Sequence, residues 1–160
     1  MPFFYDIKRA FTTSGSANTE VTEVVGKTIA NQQIMGIYAI YGACRFSTAG
    51  GAQLKYKTCT ATAATGGTAQ TPTKKNDLQP ASQSTWVDGA TAITPGGTLV
   101  IRTTIGMAQT GGMGGWQALM PQDAFQFQPN TVNPIDGELT TNASVASVTG
   151  DLTVEIGEGL

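Results

Sequence analysis

The feature that most constrains the fold of this chain is a two-residue alternation of apolar and polar side chains. Apolar Leu152, Val154 and Ile156 are each separated by a polar residue. Successive side chains of a β-strand point to opposite faces, so this period of two predicts a strand with one buried and one wet face. The segment 99–105 alternates in a similar way and leads to the same prediction.

Short apolar runs of this kind extend along the whole chain and are separated by turn residues such as Gly50-Gly51. Their spacing is typical of a sandwich or barrel. Residues 34–41 are apolar on both faces, which predicts a strand in the middle of a sheet or against a neighbouring subunit. No segment favours a helix of more than two turns. The predicted strands are 3–11, 21–25, 34–46, 52–63, 98–107, 116–120, 125–128, 145–149 and 152–156.

A chain of 160 residues is long enough to bury a core by itself, so we predict one β-sandwich domain over residues 1–160. Within it, the segment 65–85 contains Leu78 as its only large apolar residue. We therefore predict an exposed loop or arm at about 65–85. An arm that reaches over a neighbouring subunit and a plain flexible loop are both compatible with this composition.

The chain carries few charges. Charged residues make up 12% of the sequence, about half of the usual fraction, and the formal net charge is −2. The longest basic runs are Lys8-Arg9 and Lys74-Lys75, so we expect no nucleic-acid partner. The N-terminal residues do not resemble a secretion signal, and glycine and proline interrupt the longest uncharged stretch, so we expect a soluble protein without a membrane partner. A polar but uncharged surface suits copies that pack against neighbours, because charges in an interface must be paired.

Catalytic and metal-binding residue patterns are sparse. The chain has no histidine, which excludes histidine-based triads and the commonest metal sites. Asp136 and Glu138 form the closest-spaced carboxylate pair near a turn, but the Asn-Pro before them indicates solvated turn residues. No calcium-loop pattern is present. We therefore expect a protein that is not an enzyme and uses no metal or other cofactor.

The segment 106–116 is rich in glycine but lacks the Lys-Ser/Thr ending of a phosphate-binding loop. It favours a wide hairpin connection, in which glycines adopt positive φ and Trp116 returns to the core. The alternative is an interface loop, because Met107, Met113 and Trp116 are adaptable apolar groups.

Three aromatic residues, Phe3, Phe4 and Tyr5, stand together near the N-terminus. In a strand, Phe3 and Tyr5 would share one face and Phe4 would lie on the other. This is more apolar surface than a frayed end should expose, so we expect it to dock against a sheet or a partner.

Cys44 and Cys59 are the only cysteines and lie on two successive predicted strands. A disulfide between them is one interpretation, but a chain without a secretion signal is expected to fold in a reducing cytoplasm. We favour two small core side chains.

The run 97–102, the glycine-rich turn, Trp116 and the run 123–129 together resemble the jelly-roll cement or decoration proteins of tailed bacteriophage heads. This resemblance implies a jelly-roll-like β-sandwich that is made in the host cytoplasm and trimerises on the outer surface of the capsid. Its partner would be the major capsid protein, whose lattice it would stabilise. The candidate interface residues are Phe3, Phe4, Tyr5, Lys74, Lys75, Met107, Met113 and Trp116.

Two other functions fit the same sequence. The chain could be a tail or fibre component that binds a host glycan through an aromatic platform such as Trp86 or Trp116. It could also be a self-assembling viral coat subunit, although it lacks a basic arm for nucleic acid.

Overall fold

The computed structural model describes residues 3–13, 19–27, 35–46, 48–60, 62–95, 100–109, 112–119, 126–127, 135–143 and 148–159. All regular elements of these residues are β-strands, and none of the described residues forms a helix that could cross a membrane. The strands are β1 (Phe3–Thr12), β2 (Val21–Lys27), β3 (Met35–Phe46), β4 (Gly50–Thr60), β5 (Thr62–Thr65), β6 (Thr68–Gln70), β7 (Thr73–Lys74), β8 (Thr85–Asp88), β9 (Ala92–Pro95), β10 (Val100–Gln109), β11 (Gly112–Leu119), β12 (Gln126–Phe127), β13 (Ile135–Ala143) and β14 (Thr149–Glu158).

The strands form two large antiparallel sheets. Sheet I has the order β11-β3-β14-β1-β7, with β12 also paired to β3, and sheet II has the order β10-β4-β13-β2-β8-β6. In four pairs of consecutive strands, one strand lies in each sheet. These pairs are β1/β2, β3/β4, β10/β11 and β13/β14. This alternation between two sheets is the jelly-roll-like arrangement, and it confirms the predicted all-β fold class.

The core lies between the two sheets, where side chains from both form one cluster. In β14, Leu152, Val154 and Ile156 are buried while Thr153 and Glu155 are half-exposed, which confirms the predicted alternation. Sheet I also contributes Tyr5, Ile7, Phe11, Ile37 and Ile40, and sheet II contributes Val24, Leu54 and Trp86. Burial of each large apolar side chain contributes about 1.5–3 kcal/mol to folding.

The strand predicted from residues 34–41 occupies the position that its apolar faces indicated. β3 lies between β11 and β14 inside sheet I, and Ile37 and Ile40 are buried. Cys44, in the same strand, is a buried free thiol, as expected of a core side chain. The side chain of Cys59 lies outside the described residues.

Two predictions about turns were wrong. The hairpin predicted for 106–116 does not form, because β10 pairs with β4 in sheet II and β11 pairs with β3 in sheet I. Asp136 and Glu138 lie within β13 and not in a turn, since β13 is paired on both sides, with β2 and β4. In both cases long-range strand pairing outweighs the local preference of glycine and proline for turns.

Residues 65–85, where the sequence predicts an exposed loop or arm, cross from one sheet to the other. β6 pairs with β8 at the edge of sheet II, and β7 pairs with β1 at the edge of sheet I. Most side chains from 65 to 78 are exposed, whereas Pro72, Gln79 and Ser84 are buried. The segment is thus fixed to the sandwich at defined points along its length.

Candidate functional site

Five of the eight predicted interface residues lie together at one edge of sheet I. β1 and β7 are antiparallel neighbours there, with Tyr5 opposite Lys74. The backbone N–H of Lys75 donates to the carbonyl of Phe4 at 3.2 Å. Strand pairing therefore brings the aromatic N-terminus and the lysine pair into contact, although some 70 residues separate them in the chain.

A tight turn beside this edge displays an apolar side chain. The backbone N–H of Leu78 donates to Oδ1 of Asn76 at 3.0 Å, and that of Gln79 donates to the Asn76 carbonyl at 3.1 Å. Nε2 of Gln79 donates to the Phe4 carbonyl at 2.5 Å, which ties the turn to β1. The Leu78 side chain is 94% exposed. Our interface prediction omitted Leu78, although it is the only large apolar residue of 65–85.

Among the side chains that the structure describes, Phe3 and Leu78 are the only large apolar ones that are exposed. Phe3 is 40% exposed and begins β1, next to the strand residue whose carbonyl holds the Leu78 turn. We call Phe3, Leu78 and the adjoining Lys74 the edge patch. Most large apolar side chains of a sandwich are buried, so these two are the candidates for a contact surface at this edge.

Phe4 supports the patch from the outer face of sheet I. Its ring meets the ring of Tyr38 edge-on, with centroids 5.0 Å apart and an interplanar angle of 80°. Both rings lie over Gly157, where an added Cβ would be 2.6 Å from Cε2 of Tyr38. Burial raises the pKa of the Tyr38 hydroxyl above its usual value. The interface role predicted for Phe4 is untested, and in the structure it stabilises the start of β1.

Tyr5 faces the core and is 1% exposed, so its ring is docked against the sheets. Its hydroxyl donates to the Pro80 carbonyl at 3.1 Å. Burial, and to a smaller extent the charge of Glu158, raise the pKa of this hydroxyl. Tyr5 therefore holds the backbone at Pro80 and does not contribute surface to the edge patch.

The two lysines differ in their surroundings. Nζ of Lys75 lies 3.4 Å from Oδ1 of Asp6 and also pairs with Glu155. Partial burial lowers the pKa of Lys75, but the hydrogen bond to Glu155 and the two carboxylate charges outweigh it and raise the pKa overall. Lys74 is exposed and forms no ion pair with a described residue. Lys74 is therefore the cation that the edge patch can offer to a partner.

A buried carboxylate anchors the other end of the same segment. Glu158 is 5% exposed and accepts hydrogen bonds from the backbone N–H groups of Gln83 and Ser84, at 2.8 and 3.0 Å. The hydroxyls of Ser82 and Ser84 donate to it at 2.5 and 2.6 Å. Nε1 of Trp86 donates to the Ser84 hydroxyl at 2.8 Å. Four donors thus compensate the burial of this charge.

The remaining predicted interface residues lie away from the edge patch. Met107 is in β10, and Met113 and Trp116 are in β11, at the opposite edges of the two sheets from β7 and β6. Their side chains lie outside the described residues. Trp86 is 1% exposed, so it cannot serve as the glycan platform considered above.

No group of three or more His, Cys, Asp or Glu side chains is placed to hold a metal ion in the part of the chain that the structure describes. The buried acidic residues Glu23 and Asp88 both face Arg9, at 3.4 and 3.2 Å, as expected of a structural ion cluster.

No protein-family model and no curated protein sequence matches the chain. Among solved structures, it is similar to a carbohydrate-binding module from glycoside hydrolase family 9 (Cel9A) of Ruminococcus flavefaciens FD-1. The TM-score is 0.43 and the identity 14%, over 96% of this chain and 98% of that chain. It is also similar to the T=1 particles derived from infectious bursal virus, with a TM-score of 0.24 and 13% identity over 100% of this chain and 40% of that chain. At such TM-scores neither similarity supports a particular function.

Proposed function

We propose that this chain is a structural protein of a virus particle, a cement or decoration protein that binds the major capsid protein lattice of a tailed phage head. The observation that carries the proposal is the edge patch, in which Phe3 at the start of β1 and Leu78 on a turn that hydrogen bonds tie to β1 are both exposed. Such an anchor loses little conformational entropy when it is buried by a partner. Jelly-roll sandwiches occur among capsid proteins, which agrees with this role.

The low charge of the chain supports the same proposal. A decoration protein must pack closely against a lattice, and each unpaired charge moved into that contact would cost several kcal/mol, roughly 3–5. Several linked copies would touch several capsid subunits at once, so modest contacts would add up to stable attachment. Each copy would use Phe3 and Leu78 as apolar anchors and Lys74 as a polar contact at the rim.

Rebinding to capsids stripped of accessory proteins tests the proposal. We expect the wild-type chain to co-sediment with its capsid and to saturate in a fixed ratio to the capsid subunit. The double variant Phe3→Ser and Leu78→Ser should bind at least about tenfold more weakly, because two apolar anchors are lost. Gln53→Ala, an exposed change on sheet II, is the matched control and should bind as the wild type does.

Two results would count against this function. Failure of the wild-type chain to bind any stripped capsid would reject the capsid role itself. Binding that is unchanged in the double variant would keep the capsid role but reject the edge patch as its contact surface.

A glycan-binding tail or fibre component is the second candidate, because jelly-roll sandwiches also occur among lectins. With Trp86 buried, Trp116 is the tryptophan left to form a platform. Titration of a panel of bacterial surface oligosaccharides would then change the tryptophan fluorescence in wild type but not in Trp116→Phe. A decoration protein would show no change.

A further inference from the structure

Among the described residues, one side of β1 is mostly an open sheet edge. Its outer neighbour β7 is only two residues long and pairs with Tyr5 and Asp6. On the opposite side, β1 pairs with β14 over its full length, from Phe3 to Thr12. No described strand lies beside residues 7–12 on the β7 side.

The backbone groups that point out of this edge can be identified. The N–H and C=O of one strand residue point to the same side, and the side alternates along the strand. The carbonyl of Phe4 points outward, because it accepts from Lys75. Those of Lys8, Ala10 and Thr12 therefore point outward too. Their outward groups form no hydrogen bond with the described residues, and all three residues are exposed.

We propose that a second copy of this chain pairs with this edge, antiparallel and across a two-fold axis at Ala10. In this register Ala10 faces Ala10 of the second copy, and Lys8 faces Thr12. In this register the outward N–H and C=O groups of Lys8, Ala10 and Thr12 of each copy all find partners in the other copy. Three residue pairs with two hydrogen bonds each give six hydrogen bonds. A shift of two residues would direct one free residue toward Asp6, which β7 already covers, or beyond the end of β1.

Charge complementarity supports a second copy as the occupant. A groove of about 340 Å³ crosses the outer face of sheet I between the Ala10–Asp151 and Thr12–Thr149 rows and begins at this edge. The proposed register places Lys8 of the second copy opposite Thr12, at the mouth of the groove. Its Cα would be about 12 Å from that of Asp151 by ordinary strand spacings, within the reach of the two side chains. Neither Lys8 nor Asp151 forms an ion pair with a described residue.

This register also avoids the contact that usually protects sheet edges. Lysines on edge strands usually discourage pairing, most of all where two of them would lie directly opposite each other. Here each Lys8 faces a threonine, and small Ala10 side chains lie at the axis. The two symmetric Lys8–Thr12 pairs, one on each side of the axis, close the assembly as a dimer. A dimer differs from the trimer that the phage resemblance implies, and its formation does not depend on capsid binding.

Sedimentation velocity of the purified chain over a range of concentrations tests this pairing. We expect a monomer–dimer equilibrium in the wild type. Ala10→Pro removes an outward N–H while leaving the bonds to β14 in place, and should raise the dissociation constant about a hundredfold. Ala10→Val keeps the N–H and should dimerise like the wild type. Thr12→Glu should lower the dissociation constant about two- to tenfold at low salt, because the new carboxylate of each copy would face Lys8 of the other copy and the dimer would gain two ion pairs.

A disulfide trap provides a measurement that does not need the proline variant to fold. Ala10→Cys lies on the proposed axis, where two Cα atoms about 5.5 Å apart can be bridged. It should form a covalent dimer on mild oxidation, whereas Ala43→Cys, exposed on the same face but in β3, should not. A monomeric wild type, a trimer or a dimer insensitive to Ala10→Pro, or equal cross-linking of the two cysteine variants would overturn the proposal.

Discussion

The carboxylate of Glu158 in β14 accepts hydrogen bonds from both the backbone N–H and the hydroxyl of Ser84, which lies 74 residues earlier in the chain. This contact joins sheet I to the segment that enters β8 in sheet II. Since Trp86 also donates to the Ser84 hydroxyl, the largest side chain of the core is positioned by the same network.

Glu158→Gln should destabilise the fold by about 2–4 kcal/mol, because the amide nitrogen cannot accept from the donors that face it. The free energy of unfolding in urea, with tryptophan fluorescence as the signal, measures this loss. Glu155→Gln is the matched control on the outer face of the same strand, where loss of the ion pair with Lys75 should cost no more than about 1 kcal/mol. Equal losses of unfolding free energy in the two variants would show that the buried hydrogen bonds of Glu158 stabilise the fold no more than the ion pair of Glu155 does.

Arg9→Met should destabilise by about 3 kcal/mol, because Glu23 is buried and loses the cation that compensates its charge. Lys8→Met, one position away and exposed, should change the free energy of unfolding by less than about 0.5 kcal/mol. Chemical denaturation of both variants at pH 7 gives the comparison. A stable Arg9→Met protein would mean that the methionine packs well enough to replace the ion cluster.

Gly26→Ala should destabilise by about 3 kcal/mol or more, because the added Cβ would be 2.3 Å from Cη2 of Trp86. The ring is 1% exposed and belongs to the core cluster, so it cannot swing out into solvent without breaking core contacts. Gly159→Ala is the control, since Gly159 has a positive φ of 75° but no atom within 4 Å of the added Cβ. It should cost only about 1–2 kcal/mol of backbone strain. Thermal unfolding of the two variants separates steric collision from backbone strain.

Burial raises the pKa of the Cys44 thiol from 9.0 to about 12. Because the folded-state pKa is the higher one, its contribution to stability is complete below pH 9 and is lost as the pH rises toward 12. In a Cys59→Ser background, iodoacetamide at pH 9 should label Cys44 about a thousandfold more slowly in the folded protein than in urea. Equal rates would show that the thiol is accessible as thiolate in the native state.

Local patterns predicted the strands that have a regular period, and long-range pairing determined the rest. The alternation at 152–156 and the apolar run at 34–41 gave β14 and β3, because each pattern lies within one strand. The strands β6 and β7 were missed, since 65–85 has almost no apolar residues that could show a period, and β8 was missed because its four residues are too few to show one. Their strand form depends on pairing, since β7 pairs with β1 and β8 with β2, both distant in sequence, and β6 pairs with β8.

The edge patch was predictable only in part. An aromatic N-terminus and a lysine pair stood out by residue type, but nothing local indicated that Lys75 would bond to Phe4. Leu78 was visible as the lone apolar residue of a polar segment, yet its exposure follows from the turn at Asn76. The burial of Tyr5 could be inferred only once the partner sheet was known.

The position of β14 also sets when this fold can form. β14 lies between β3 and β1 in sheet I, and these two strands have no contact with each other along the sheet order. During synthesis, the two parts of sheet I on either side of β14 cannot join until residue 158 has left the ribosome. Until then β3 can pair only with β11 and β12, and β1 only with the short β7, so we expect slow folding that depends on contacts distant in sequence.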